Sequence, residues 1–288
     1  MAKSPAHRFG QIIGDLLEET MYEYCKPIAD NHGLYMDYKH ERDARGGKKE
    51  VKWEDINGNI HKLDIVMEKD GTEAEFGKPK AFIEVAWRRY TKHAKAKAQE
   101  ISAAIKPLVV KHCDSSPFFG AVLAGEFTDN SLEQMRSEGF ELLYFPTSMI
   151  EEVYRKQGIN AHWDESTSEE ELQNRVYQME IMSEDDRKNL KKALMDANEQ
   201  QWKSFVEKIN LALDRNIENI RVLALYGGMK EFSSITDACE YITNKPEECD
   251  ENKIYKYEIS VYFSNGDKIE MQFKEKNNAI MFLRQLEV

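Results

Sequence analysis

The sequence of 288 residues has few cysteines and no long apolar run. Its four cysteines, Cys25, Cys113, Cys239 and Cys249, show neither C-x-x-C spacing nor the pattern of a disulfide framework, which favours a reducing compartment. No apolar stretch has the length of a membrane span, and the first ten residues contain no signal-peptide apolar segment. We therefore expect a cytoplasmic protein that makes no membrane contact.

Motifs for nucleotide cofactors and for common hydrolases are missing as well. The sequence contains no P-loop, no G-x-G-x-x-G and no G-x-S-x-G, and its seven histidines form neither H-x-x-x-H nor H-E-x-x-H. An ATP-driven or dinucleotide-dependent enzyme is therefore not expected, and we predict no nucleotide cofactor. His93 and His112 flank a basic segment and could contact phosphate, although surface histidines are common.

Positive charge is scarce overall, since the net charge is −12. This balance argues against a protein that coats nucleic acid without specificity. The stretch from Lys78 to Lys111 is the exception, because its nine Lys and Arg residues face only two acids, Glu84 and Glu100. Such a local basic patch can bind DNA, and the alternative is that these residues only solvate a helix face.

The sequence does contain enough apolar residues, 41%, for a sizeable core, arranged with the periods of helices and strands. A helix is predicted at 7–25, and Asn57-Gly58 predicts a hairpin between strands at 50–53 and 60–67. The elements predicted after the hairpin are a strand at 81–87, a helix at 90–105 ended by Pro107, and buried strands at 117–123 and 140–145. This order predicts an α/β fold with a mixed central β-sheet flanked by helices.

We expect three regions along the chain. Residues 1–159 contain the predicted sheet and its helices, 160–216 form a helical region, and 217–288 form a small α+β module of the order βαββα. No internal repeat is evident in the sequence.

Two acidic residues stand inside short apolar strands. Asp64 follows Leu63 and precedes Ile65, and Glu84 lies in the run Ala81–Trp87. A carboxylate in such a strand is unfavourable unless it is paired, protonated or bound to a metal. If the two strands pair, the two acids can share Mg²⁺, which prefers oxygen ligands, beside the phosphate-binding surface of the basic helix. The alternative is two acids at strand edges that face solvent.

Over residues 7–157 the chain resembles the PD-(D/E)XK nuclease superfamily, with its restriction-endonuclease-like fold. The resemblance is carried by Asp64, by Glu84-Val85-Ala86 and by the order of the helices and strands around them. It implies that Asp64 and Glu84 are metal ligands, together with the backbone carbonyl of Val85. It also implies that Glu18 matches an acid on the first helix of some members, and that Gln99 matches a polar residue on the helix after the motif.

Ala86 departs from this family pattern, because the family has a lysine two residues after the acid at Glu84. That lysine positions or helps to activate the attacking water. Three explanations stay open: an engineered substitution, a role transferred to another lysine, or a protein that binds DNA without cutting it. The candidates for a transferred role are Lys80 on the same strand face and Lys92, Lys95 and Lys97 on the following helix.

By this resemblance we predict a Mg²⁺-dependent endonuclease for double-stranded DNA, with Mn²⁺ as a possible substitute. A type II restriction enzyme acting as a homodimer is the expected form, because cutting both strands needs two sites. Base readout is predicted for Arg42, Arg45 and Lys48 in the loop 39–49, which could instead be a solvated linker. Phosphate contacts are predicted for the following basic residues: Arg88, Arg89, Lys92 and Lys95. The alternatives are a non-catalytic DNA-binding subunit of a defence complex and a nuclease for structured or damaged DNA.

Overall fold

The computed structural model describes residues 4–225, 228–244, 248–249, 252–253 and 256–286. The chain divides into two compact units, Met1–Asn210 and Leu211–Val288. Each unit has its own principal β-sheet, with the strand order β1-β4-β5-β6-β7 in the first and β13-β12-β8-β9 in the second. Within the described ranges, no helix combines the length and the apolar character needed to cross a membrane.

The first unit contains the mixed sheet and its flanking helices. In chain order its elements are α1 (Pro5–Asn31), β1 (Tyr35–Asp37), β2 (Val51–Glu54), β3 (Ile60–Leu63), β4 (Ile65–Lys69), β5 (Lys78–Arg88), α2 (Thr91–Lys111), β6 (Phe118–Gly125), α3 (Asp129–Ser137), β7 (Glu141–Pro146), α4 (Thr147–Lys156), α5 (Glu169–Glu180), α6 (Glu184–Ala197) and α7 (Glu199–Leu213). The pairs β1–β4 and β4–β5 are antiparallel, whereas β5–β6 and β6–β7 are parallel. The predicted α/β class with a mixed central sheet is confirmed.

The strand predicted at 60–67 is divided at Asp64. Its first half, β3, pairs only with β2 across the predicted Asn57-Gly58 turn, and its second half, β4, joins the central sheet. Gly58 has φ = 84°, the left-handed conformation that this turn requires. Asp64 therefore stands at the point where the chain leaves the hairpin and enters the main sheet.

Both long helices continue through a proline. We predicted that Pro107 ends the helix after β5, but α2 extends to Lys111, and α1 likewise passes Pro27. Leu108 continues the buried stripe of α2, and Ile28 and Ala29 continue that of α1. Because this apolar burial offsets the lost backbone hydrogen bond, the prediction based on Pro107 was wrong.

The two faces of β5 pack against different helices. Phe82 and Ala86 belong to a buried apolar cluster with Ala94 and Ala98 of α2. On the other face, the side chain of Trp87 lies beside α1, where a methyl group added at Gly14 would be 3.7 Å from the Trp87 Cβ. Glu84 lies between Phe82 and Ala86 on the face of β5 that packs against α2.

The second unit contains two hairpin–helix repeats. Its elements are β8 (Ile217–Ala224), β9 (Gly228–Phe232), α8 (Ile235–Asn244), β10 (Glu248–Cys249), β11 (Asn252–Lys253), β12 (Tyr257–Phe263), β13 (Lys268–Phe273) and α9 (Lys276–Gln285). Both principal hairpins, β8–β9 and β12–β13, are followed by a helix. Antiparallel pairing of β8 with β12 joins the two hairpins into one four-stranded sheet. The predicted order βαββα lacked β9.

Equivalent aromatic pairs show that these repeats share their packing. Phe232 after β8–β9 lies 5.2 Å from Tyr241 of α8, measured between ring centroids, and Phe273 lies 5.3 Å from Phe282 of α9. The two pairs have similar interplanar angles, 41° and 38°. The prediction of no internal repeat concerned the sequence, and few side chains are identical between the two halves, so the similarity is one of element order and packing.

Candidate metal-dependent active site

Asp64 and Glu84 are opposite each other on adjacent strands. Ile65 of β4 pairs with Ile83 of β5 in an antiparallel register, which brings the residue before Ile65 opposite the residue after Ile83. The Asp64 N–H donates to the Glu84 carboxylate over 3.4 Å, and the Val85 N–H donates to the Asp64 carboxylate over 2.7 Å. The two predicted acids are therefore brought together and are oriented by the backbone.

The environment of these acids disfavours two negative charges. Glu84 is only 4% exposed, and burial together with the charge of Asp64 raises the pKa of Glu84 well above its ordinary value. Burial also raises the pKa of Asp64, while the Val85 N–H and the charge of Lys97 act in the opposite direction. A nearby cation is the simplest way to keep both carboxylates ionised.

The backbone carbonyl of Val85 adds an oxygen on the same side. The N–H and C=O groups of one residue in a strand point the same way, and the Val85 N–H points at Asp64. In the part of the chain that the structure describes, no three His, Cys, Asp or Glu side chains are grouped as a metal site. Mg²⁺ needs only one or two protein carboxylates, so two desolvated carboxylates and a carbonyl fit this ion.

Lys97 is the cation of α2 whose charge acts on both acids. Its charge lowers the pKa of both Asp64 and Glu84, although burial outweighs it at each group. The Lys97 ammonium is 2.8 Å from the Glu100 carboxylate, and the side chain of Lys97 is only 16% exposed. The predicted lysine therefore faces the site, accompanied by an acid one helical turn further along.

Glu18 approaches the pair from α1. Burial, with a contribution from the charge of Asp64, raises the pKa of Glu18 to about 7. The Tyr22 hydroxyl donates to the Glu18 carboxylate over 3.3 Å. Glu18 is thus a carboxyl group that gains or loses its proton near neutral pH, which suits a general base.

A cleft of about 850 Å³ lies between α1 and α2. The neighbours of the two acids, Glu18, Val85, Lys97 and Glu100, line it. The wall from α1 includes small residues at four-residue spacing, Ala6, Gly10 and Gly14, which leave room beside Trp87. Asp64 and Glu84 do not line the cleft themselves, but Val85, whose N–H donates to the Asp64 carboxylate, does.

Ala86, the position of the expected lysine, does not face this cleft. It is 3% exposed and belongs to the buried cluster with Ala94 and Ala98 of α2. A lysine at position 86 would have to place its methylene groups among these alanines. Helix α2 occupies the space that a lysine side chain at position 86 of β5 would need. Lys97 belongs to the same helix.

Gln99 lies on a different face of α2 from Lys97. It lines a small depression beside α3 with Ser102, Gln134 and Glu138, and the cleft beside Asp64 does not include it. Residues 97 and 99 are two positions apart on a helix, which turns their side chains to different faces. We therefore remove Gln99 from the candidate catalytic set.

The loop 39–49 turns its arginines into the protein. The Arg42 side chain has no exposed surface and binds Glu68 over 2.7 and 3.0 Å and Asp37 over 2.8 Å. Arg45 also pairs with Asp37, and its side chain is 4% exposed. Neither guanidinium is available to contact a base edge, so the prediction of base readout by Arg42 and Arg45 was wrong. Lys48, the third residue of that prediction, is exposed.

The remaining basic residues are arranged unequally. Arg88 lines the cleft and donates to the Trp87 carbonyl over 2.7 Å, while Lys92 and Lys95 are exposed on α2. Arg89 also lines the cleft, but it donates to the Trp163 carbonyl and its guanidinium lies 5.1 Å from the centroid of the Trp163 ring. Arg88 and Lys92 therefore remain the better candidates for phosphate contacts.

Sequence reasoning missed several residues that line the cleft. Glu100 could have been found, because it follows Lys97 at the three-residue spacing of one helix face. Tyr90 also lines the cleft, immediately before α2. Trp163 comes from the segment between α4 and α5, and no local signal connects it to the acids.

Comparisons with known proteins leave the family of this chain open. No protein-family model matches the chain, and no curated protein matches it. A solved structure titled "Crystal Structure of Protein of Unknown Function AF1548" is 13% identical and has a TM-score of 0.29, with 65% of this chain and 99% of that chain covered. A similarity of this size carries no argument about the fold or the function of the chain.

Proposed function

We propose that the first unit is a metal-dependent endodeoxyribonuclease of the PD-(D/E)XK type. The observation that carries this proposal is the pair Asp64 and Glu84, held opposite each other on adjacent strands with Lys97 beside both. Two carboxylates whose charges disfavour each other are costly to keep in a fold without a function for them. The substrate proposed is double-stranded DNA.

Asp64, Glu84 and the Val85 carbonyl would hold Mg²⁺, or Mn²⁺ in its place. The bound ion would activate a water molecule and stabilise the charge that develops on the phosphodiester under attack. Lys97 would hold that water and offset the negative charge. The family pattern gives this role to a lysine at the position that Ala86 occupies here. Glu18, whose pKa is about 7, would accept the proton from the water.

The finer proposal is a type II restriction endonuclease that acts as a homodimer. Two sites are needed to cut both strands, and a two-fold dimer provides them. Arg88 and Lys92 would contact backbone phosphates near the cleft. Discrete bands after digestion of long duplex DNA would support a recognition sequence, whereas a continuous smear would contradict this finer proposal.

Plasmid cleavage tests the nuclease proposal. The full chain should convert supercoiled plasmid to nicked and linear forms with Mg²⁺ and should stop when EDTA is added. Asp64→Asn and Glu84→Gln should each lose nearly all cleavage, while Glu41→Gln, a change at an acid whose side chain is 70% exposed, should keep it. No cleavage of modified or unmodified DNA by the wild type would overturn the proposal.

A non-catalytic DNA-binding subunit is the second candidate, and Ala86 is the observation that favours it. In that case the two acids would be remnants of a metal site. Calorimetric titration with Mg²⁺, Mn²⁺ and Ca²⁺ separates the two functions. Binding that is lost in Glu84→Gln supports the nuclease, and no binding of any of the three ions supports the non-catalytic subunit.

A further inference from the structure

The mouth of the cleft carries an exposed aromatic ring. Tyr90 lines the cleft and is 53% exposed, although large apolar side chains of this protein are mostly buried. His93 stands beside it, with ring centroids 6.4 Å apart. Both residues line the cleft together with Val85 and Lys97, the neighbours of the two acids.

The surroundings of this ring carry positive charge. Tyr90 is the N-cap residue, but its side chain makes no capping hydrogen bond and the first turn contains no acid. The partial positive charge at the start of this 21-residue helix is therefore not neutralised by a local carboxylate. Lys92 in the same turn is exposed and adds a full positive charge.

The acids themselves are less accessible than this ring. Glu84 is 4% exposed, and Asp64 is half-buried. In a continuous duplex the base faces are covered by their stacked neighbours, so a stacking side chain can contact only a base that has left the stack.

We propose that Tyr90 stacks on an unpaired nucleobase of the DNA strand that is cut. The substrate then presents at least one unpaired nucleotide at the cleft, either extruded from a duplex or already unpaired. This inference rests on the proposed nuclease function and adds the class of DNA that binds best. A mismatched segment binds more tightly than a perfect duplex, because extruding a base from a paired stack costs a few kcal/mol.

Fluorescence anisotropy on the full chain with Asp64→Asn, which prevents cleavage, tests the inference. The probes are a labelled 24-mer duplex, the same duplex with three central mismatches, and the single strand. We expect the mismatched duplex and the single strand to bind about tenfold or more tightly than the perfect duplex, as follows from an extrusion cost of a few kcal/mol.

Substitutions at Tyr90 separate stacking from general affinity. Tyr90→Ala should weaken binding of the mismatched duplex about 10- to 100-fold, as for loss of one base–aromatic stack. Tyr90→Phe keeps the ring and should bind like the parent. Tyr177→Ala is the matched control, because Tyr177 is 60% exposed on α5 and lies outside the cleft.

The outcomes distinguish this inference from the nuclease proposal. Equal binding of all three probes, or a Tyr90→Ala variant that binds like its parent, overturns the stacking inference and leaves plasmid cleavage as an independent result. If the parent binds none of the probes while the wild type cleaves plasmid, the inference alone fails, and if the wild type also cleaves no plasmid, the proposed function fails with it.

Discussion

The family pattern implied by the resemblance has a lysine on the strand where this chain has Ala86. In this chain Lys97 of α2 supplies the positive charge instead. Ala86 is packed under α2, and Lys97 of α2 lies beside both acids. We predict that Ala86→Lys lowers stability by about 1–3 kcal/mol through overpacking and does not raise the rate of plasmid cleavage. Thermal denaturation and cleavage assays on the same preparation check this. Faster cleavage by Ala86→Lys would show that the role of the lysine has not moved to α2.

The raised pKa of Glu18 makes stability depend on pH. The ordinary pKa of a glutamate is 4.5, whereas the pKa of Glu18 is about 7 in the folded protein, so folding favours the protonated carboxyl group. The stability from this group is fully present below about pH 4.5 and is lost as the pH rises through 7. We therefore predict that Glu18→Gln melts at a higher temperature than wild type at pH 8 in EDTA, and that this difference shrinks toward pH 5.

Glu41→Gln is the control for this pH dependence, because the Glu41 side chain is exposed. Its melting temperature should follow that of the wild type at every pH. A difference between Glu18→Gln and wild type that stays constant from pH 5 to pH 8 would contradict the raised pKa of Glu18.

The acids of the candidate site were predictable from the sequence, and the arginines were not. Asp64 and Glu84 interrupt apolar strands, which is a local signal. The environment of Arg42 depends on Asp37 and Glu68, which come from two other strands. No local pattern around Arg42 distinguishes a solvated loop arginine from one that is buried by distant acids.

At the scale of elements, the buried Arg42 fixes the loop 39–49 to the sheet edge. Besides its acids, its guanidinium donates to the Thr72 and Glu75 carbonyls over 2.7 to 3.0 Å. We predict that Arg42→Ala destabilises the protein by about 3–5 kcal/mol, because the buried Glu68 carboxylate loses its guanidinium partner and Asp37 loses one of its two. The melting temperature should then fall by roughly 2–4 °C for each kcal/mol.

Arg42→Lys should recover little of this loss, since one ammonium cannot reproduce the forked hydrogen bonds of a guanidinium. Lys48→Ala in the same loop is the control and should melt like the wild type, because Lys48 is exposed. Wild-type stability of Arg42→Ala would contradict a structural role for this buried network.

Element boundaries show where sequence patterns stop being sufficient. The Asn57-Gly58 turn and the apolar periods located the first hairpin and the helices but missed β9, and the fold class followed from the order of the elements. Pro107 was wrongly read as a helix end, because local propensity does not include the burial of Leu108. The division of the strand at Asp64 also depends on which strands pair, and a single run of residues does not carry that information.

At the scale of the whole molecule, the division into two compact units predicts two independent folding units. The boundary at Asn210/Leu211 lies inside α7, so a cut after Leu213 keeps that helix intact. We predict that residues 1–213 fold alone and keep metal-dependent cleavage, and that residues 214–288 fold alone without it. Circular dichroism melting curves and plasmid assays on both fragments check this, and an unfolded or inactive first fragment would contradict it.

Cleavage by a Lys97 variant tests the central claim most directly. The single-turnover rate with Mg²⁺ should fall about 10²- to 10³-fold in Lys97→Met, the range expected for loss of one group that stabilises developing charge. Lys106→Met is the matched control, because Lys106 is also on α2 and its side chain is 52% exposed. A normal rate in Lys106→Met with this loss in Lys97→Met is the predicted result. A wild-type rate in Lys97→Met would contradict the account.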